Sequence, residues 1–353
     1  MEGKAMRKKS LCVSIFVLIF VFICVMALGS QSVLAKTKIL RLVVPSPAGD
    51  WPLTAACDEF AKGFNARVGD AYKVQVYPGG ALVGVIEYFD AVRTGAVEIA
   101  CAPWAVYGGA DSRLNIVEAP FLFNGLESAI AAARPLLALH DEVLMEKFNQ
   151  KALGLFTTGG MDCISKKKPI KKLEDWKDEL VAAFSPPAAI LFQGLGASPV
   201  TIMWPEMYQA LQKGVIDVAG QTAHGMIVSR LTDVCKYFTA FHGLTGWNGF
   251  SINLDLYNKM PENIQKILWE EIDKSVDFMH DADRQLLTDD IKEYKKRGTE
   301  VYILPKAEYD RWAKHMEPVK VEFMKQAPEF AKKVQAIADE ANKNHPYEEI
   351  KID

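Results

Sequence analysis

The chain has 353 residues, 50% of them hydrophobic and 24% charged, with a formal net charge of −3. That balance suits a globular protein of one or two domains. It excludes the basic surplus with which nucleic-acid binders neutralise phosphates, so no nucleic-acid partner is expected.

The N-terminus supplies part of the hydrophobic fraction. Arg7, Lys8 and Lys9 precede an uncharged apolar run over 11–28, and Val33-Leu34-Ala35 puts compact residues before a cleavage site after Ala35. Basic, apolar and small-residue regions in this order read as a signal peptide over 1–35 and place the mature protein, from about Lys36, in the periplasm. The competing reading is a retained anchor, since the run is about long enough to span a bilayer. Lipidation fits less well, because Cys24 lies inside the run and follows Val21-Phe22-Ile23. Beyond the run are Cys57, Cys101, Cys163 and Cys235, with no CxxC pair and no metal-ligand spacing. Two disulfides suit an oxidising compartment, and four buried thiols suit the apolar context of each. No cofactor or metal is expected.

Residues 39–44 form an apolar strand, broken only by Arg41, that ends at "PSPAGDWP". Ala56, Phe60 and Phe64 then share one face of a predicted helix over 53–64. "YKVQVY" (72–77) alternates as a strand and stops at Pro78-Gly79-Gly80. A helix over 85–94 and the buried strand "VEIACAP" complete a β-α-β-α-β opening, which predicts a mostly parallel sheet. A helix over 126–148 follows. The short strands "ALGLF", "DCISKK", "LVAAF" and "VIDVAG" then alternate with helices over 188–195 and 205–213, the latter with Pro205 at a good first position. Apolar residues from Ile264 to Ile291 keep helical spacing through one very long helix that Gly298 ends. At well over 30 residues and 1.5 Å per residue it exceeds the width of one domain, so it is expected to span two lobes. "EVYIL" and amphipathic helices finish the chain.

No enzyme signature appears: no Gly-x-Ser-x-Gly, no His-Glu-x-x-His and no P-loop. The six histidines do not cluster in sequence. Glu270-Glu271 and Asp289-Asp290 read as solvated faces of the long helix, and Lys166 to Lys168 as a solvated rim able to steer an anion. The chain is read as a binding protein and not an enzyme. An exported enzyme or a sensor-associated binding protein on the same fold is the alternative.

Three stretches carry a resemblance. "VQVYPGGALVGVIEYFDAVRTGAVEIACA" (74–102), the segment 169–220 with its run "LGASPV" and then "WPEMYQALQKGVID", and "KMPENIQKIL" (259–268) resemble the solute-binding proteins of tripartite ATP-independent periplasmic (TRAP) transporters, the DctP family. The resemblance covers nearly the whole mature chain in order. It implies an α/β, two-lobed periplasmic-binding-protein-like fold with hinge strands and a long helix spanning both lobes. The lobes are expected over 36–159 plus 248–287 and over 160–247 plus 288–353, closing on one small organic solute. Membrane permease subunits are the implied partners, with uptake driven by a cation gradient.

The family's usual ligands are small organic acids clamped by arginine. Counted without gaps, one clamp position falls on Ala182 and a second on Met161, so both clamps are missing. The resemblance points instead to Trp204, Gln221 and Thr222, with Ser185 in the turn after the strand and Glu87 after the PGG turn. Trp51 and Trp104 lie just past strand ends, where α/β sheets place ligand contacts, and Trp247 and Asn248 lie on the hinge side. Each tryptophan has a competing reading as core packing. Asp162 reads as a solvated loop residue with a cleft role as the alternative. A buried carboxylate without its arginine would be costly, so three ligand classes stay open, in this order: a neutral apolar or aromatic molecule packed between tryptophans; an amine or quaternary ammonium ion helped by Glu87 or Asp162; and an anion met by Lys166 or Arg230.

Overall fold

The computed structural model describes residues 37–49 and 51–347, and the expected signal segment 1–35 lies outside them. β1 (Lys38–Val44) leads into α1 (Pro52–Arg67), whose Pro52 occupies a first-turn position that needs no N–H. β2 (Tyr72–Pro78), α2 (Tyr88–Thr94), β3 (Ile99–Ala102), α3 (Leu126–Phe148) and β4 (Gln150–Gly160) follow. β5 (Asp162–Ser165), β6 (Leu180–Ala183), α4 (Pro186–Leu195), β7 (Ser198–Thr201), α5 (Trp204–Lys213), β8 (Val218–Gln221), α6 (Ala223–Val228) and β9 (Tyr237–Ala240) come next. The chain ends with β10 (Thr245–Asn253), α7 (Leu254–Lys259), α8 (Glu262–Lys296), β11 (Glu300–Ile303), α9 (Lys306–Met324) and α10 (Pro328–Asn344).

Two sheets result, with strand orders β2-β1-β3-β10-β4 and β11-β9-β5-β8-β6-β7. Each is mixed, where the opening pattern had predicted mostly parallel pairing. β1 and β3 run parallel with Leu42 opposite Ile99, but β10 is antiparallel to both β3 and β4. In the second sheet β5 is antiparallel to β8 and β9. The cause is the way the chain changes lobes. β4 passes directly into β5, and β9 returns into β10, so each sheet contains a strand that arrives from the other lobe and runs against its neighbours.

The two crossings are tied together. Met161 N–H donates to the Leu244 carbonyl at 2.8 Å and Gly243 N–H donates to the Met161 carbonyl at 3.0 Å. Asp162 is buried and not solvated. Its Oδ1 accepts from the backbone N–H groups of Phe241 (2.8 Å) and His242 (3.0 Å), fixing the bend where His242 takes φ 47°. Gly160 faces this bend, and a Cβ there would come 2.0 Å from His242 Nδ1.

The long helix does serve both lobes. At 35 residues, α8 is about 50 Å long. Ile264, Leu268, Ile272 and Met279 join the first lobe's core with Leu42, Phe60 and Phe250. Tyr294 joins the second lobe's core, stacked on Phe238 at 4.2 Å and donating to the Ala223 carbonyl. The acidic pairs on α8 are only half solvated. Glu271 is buried between Arg67 (2.6 Å) and Lys274 (2.7 Å), and Asp290 is buried 2.9 Å from His224 Nδ1. The tail also departs from expectation. Tyr309, Trp312 and Met316 of α9 enter the second lobe's core, but Ala331, Val334 and Ala338 of α10 pack with Leu136 and Leu144 of α3, so the chain ends on the first lobe. All four described cysteines are free and buried.

Candidate ligand-binding cleft

Between the two sheets lies a cavity of about 490 Å³, the size of a small organic molecule. The first lobe contributes the Pro45-Ser46-Pro47 turn after β1, Trp51 at the N-cap of α1, Pro103 after β3, and Trp247 and Asn248 on β10. The second contributes Phe184 after β6, Trp204 at the start of α5, and Gln221 and Thr222 at the end of β8. Met161 and Leu244, the crossing residues, form part of the wall, and Met279, Asp283 and Leu286 present one face of α8. Strand ends from both sheets thus converge on one space, as open α/β sheets place their ligands.

Aromatic edges shape this space. Trp51 meets His224 of α6 edge-on at 5.7 Å, a contact from one lobe to the other. Trp204 stands edge-on to Phe184 at 5.6 Å, and Trp247 edge-on to Phe123 at 5.7 Å. The indole N–H groups of Trp51 and Trp247, Oε1 of Gln221 and Oδ1 of Asn248 are buried with no hydrogen-bond partner among the described residues. Asn248 Nδ2 donates to Thr158 Oγ1 at 3.4 Å, and Thr222 Oγ1 accepts from Gly225 N–H at the N-cap of α6.

Two carboxyl groups line the cavity. Burial pushes Glu118 up to about 8, against a weak pull from the Trp247 N–H at 3.4 Å. Burial likewise pushes Asp283 up to about 7, although Thr157 Oγ1 donates to it at 2.5 Å. Among the described residues, no lysine or arginine lines the cavity. A side chamber of about 50 Å³, with space for a few waters, shares Thr158, Thr222, His224 and Asp283 with it. The chamber adds Asp162, His242 and Asp290. Burial raises both Asp162 and Asp290, opposed at Asp290 by His224. Among the described residues, no group of three or more His, Cys, Asp or Glu side chains is arranged to hold a metal ion.

Of the side chains singled out in the sequence, Trp51, Met161, Trp204, Gln221, Thr222, Trp247 and Asn248 line the cavity. Four others lie elsewhere. Glu87 is exposed and accepts from Gly84 N–H at 3.0 Å, closing a turn. Trp104 is buried among Leu136, Leu144 and Trp247, over Gly249, where a Cβ would meet its ring at 2.3 Å. Ala182 lies inside β6, opposite Val200 and Ala219, in the core with Met207 and Leu211. Ser185 caps α4, accepting from Ala188 N–H. The basic candidates are also committed: Lys166 Nζ donates to the Leu211 carbonyl at 3.1 Å, and exposed Arg230 pairs with Asp233 at 2.6 Å.

Glu118, Asp283 and His224 were missed. Two carried a signal. Glu118 is a lone charge in "NIVEAPFLF", and Asp283 interrupts the apolar stripe of α8 between Met279 and Leu286-Leu287. A carboxylate in an apolar context is buried, and then needs a reason.

Comparison with known proteins gives the lineage. The model of the family described as DctP, bacterial extracellular solute-binding protein, family 7, matches residues 46–327. A solute-binding protein of Albidiferax ferrireducens is 27% identical over 288 residues, covering 79% of this chain and 84% of that protein. The C4-dicarboxylate-binding protein DctB of Bacillus subtilis is 23% identical, covering 77% and 78%. Among solved structures, a TRAP periplasmic solute binding protein from Rhodoferax ferrireducens with bound malonate superposes with a TM-score of 0.79 at 22% identity, covering 87% of this chain and 99% of that one. One from Desulfovibrio desulfuricans with bound sn-glycerol-3-phosphate gives 0.77 at 21% identity, covering 90% and 99%. Two lobes joined by paired crossing strands, a helix spanning both and a cavity between them agree with that match, and the chain belongs to the DctP family of bacterial extracellular solute-binding proteins.

Proposed function

We propose that the protein is the periplasmic solute-binding subunit of a TRAP transporter, and that its solute is an apolar, aromatic or cationic organic molecule instead of a simple dicarboxylate. Membrane permease subunits receive the loaded protein, and the basic-apolar N-terminus directs its export. The protein captures and delivers its solute without changing it. The observation that carries the ligand reading is the cavity itself. Three tryptophans and two buried carboxyl groups line it, with no lysine or arginine to offset an anion.

Several relatives are named for, or contain, anions: a C4-dicarboxylate, malonate, sn-glycerol-3-phosphate. An anion here would lose its hydration and face Glu118 and Asp283 with no basic side chain lining the wall. An unpaired buried charge costs several kcal/mol. Ala182, at the expected arginine position, is closed off in the core, and Lys166 and Arg230, the two basic side chains considered for an anion, are bound elsewhere. The tryptophans favour flat or apolar ligand surface, and the unpartnered indole N–H groups and amide oxygens supply the polar points of a largely apolar site.

A thermal-shift panel tests this. Aromatic, neutral and cationic organic compounds should raise the melting temperature, while succinate, malonate and glucuronate leave it unchanged. A strong response to any of those three acids overturns the ligand reading.

A further inference from the structure

Glu118 differs from the other buried carboxylates of this protein. Glu271 is met by Arg67 and Lys274, and Asp162 by two backbone N–H groups. Glu118 is 6% exposed, and among the described residues its carboxylate accepts one hydrogen bond, the long one from the backbone N–H of Trp247 at 3.4 Å. No cationic side chain shifts its ionisation; burial alone raises it. A carboxyl group that served only packing would be held by its own partners, because leaving it unmet is costly.

The rest of the wall is complementary to the same kind of guest. Gln221 and Asn248, each 7% exposed, carry side-chain oxygens with no donor among the described residues. These are two acceptors from opposite lobes on one cavity. Indole faces attract cations, and three tryptophans share the wall. Asp283 adds a second acidic group from α8. Acceptors, aromatic faces and acids together describe a guest that donates hydrogen bonds, offers apolar surface and carries positive charge.

We infer that the cavity takes a protonated organic amine on an apolar or aromatic body, its ammonium group paired with Glu118 and its N–H groups met by the side-chain oxygens of Gln221 and Asn248. This rests on the solute-receptor reading and narrows it to one charge class. Binding then converts an isolated buried carboxyl group into a paired one.

Calorimetric titration of the purified protein separates the two levels. The probes are phenethylamine, its neutral counterpart 2-phenylethanol, its acidic counterpart phenylacetate, the aliphatic diamine putrescine, choline as an ammonium without N–H groups, and malonate. Phenethylamine should bind at least about tenfold tighter than 2-phenylethanol at pH 8, the scale of one close charge pair, and tighter than choline, which has no N–H for Gln221 and Asn248. Glu118→Gln should erase the preference over 2-phenylethanol while Glu118→Asp keeps part of it, with circular dichroism reporting whether each variant folds. The wild-type preference should also fall as pH is lowered to about 6, where Glu118 takes up a proton. Asp283, which lines the cavity beside His224, pushes the same way, so Glu118→Gln must remove most of the slope.

Equal binding of phenethylamine and 2-phenylethanol overturns the amine inference and leaves the non-carboxylate reading standing. Preferred binding of phenylacetate or malonate overturns both. Choline binding without either N–H amine overturns the role given to Gln221 and Asn248. Silence from phenethylamine, putrescine and choline alike up to about 10 mM overturns the inference outright.

Discussion

Residues 180–196 and 115–124 trade the roles their sequences suggest. The first segment is the strand, turn and helix that should hold the ligand's charge, yet it is nearly all packing. Ala182 is fully buried in β6, Ser185 is spent on the cap of α4, and Phe192 lies so close over β8 that a Cβ on Gly220 would meet its ring at 2.2 Å. The second segment has no regular strand or α-helix, only tight turns with Phe121 at φ 51°, and it delivers Glu118 to the cavity wall. Inside a strand flanked on both edges, a side chain has little choice but the core above or below the sheet. An irregular connection can aim one side chain sideways into a cleft.

The sharpest way to break this contrast is to restore the missing arginine. Ala182→Arg would force a guanidinium among Met207, Leu211 and Phe238. The expected cost is about 3–5 kcal/mol, the scale of an uncompensated buried charge, read by guanidinium chloride unfolding. No succinate affinity should appear. A stable variant that binds succinate would mean that β6 does face the solute.

The second segment makes its own prediction through pH. Glu118 binds its proton up to about pH 8 in the folded protein, far above an ordinary glutamate. Between those values the folded state holds more protons than the unfolded one, so stability falls as pH rises, by up to about 1.4 kcal/mol per pH unit for one such group. Asp283 adds to the slope until about pH 7. The ligand-free protein should therefore be more stable at pH 5.5 than at 8.5 in denaturant titrations at fixed salt, and Glu118→Gln should flatten most of the upper part of that slope.

The same contrast explains what was legible in the sequence. The long helix, the chain order and most helices follow from apolar periodicity, which burial on one face imposes. Trp204 and Gln221 were singled out through the family resemblance, Trp51 through its place past a strand end, and Trp247 and Asn248 through the hinge-side segment. β10 was not read as a strand: Gly246 and Gly249 interrupt its pattern, and Gly249 is there because the Trp104 ring occupies the space of a side chain. That same packing turns Trp104 into core. Glu118 and Asp283 belong to no motif and match no family position, and only their apolar neighbours at helical or local spacing signal burial.

At the cavity itself, Trp204 tests whether the aromatic wall holds the guest. It is only partly buried and its ring leans on Phe184, so Trp204→Ala should leave the fold intact. Affinity for whichever panel compound binds should fall about tenfold, the upper range for losing one aromatic contact. Unchanged affinity in titration would take Trp204 out of the site and leave recognition to the first-lobe wall.

The smallest expected effect separates a capping hydroxyl from a ligand contact. Ser185 follows β6 at the point where a solute-gripping residue was expected, but its Oγ accepts from Ala188 N–H and it is not among the residues lining the cavity. Ser185→Ala removes that cap and should cost about 1 kcal/mol of stability, seen as a lower midpoint of chemical denaturation. Ligand affinity, measured at a temperature where both proteins are folded, should not change. A loss of affinity with little loss of stability would return the strand-turn-helix to the binding site and undo the division of labour between the two segments.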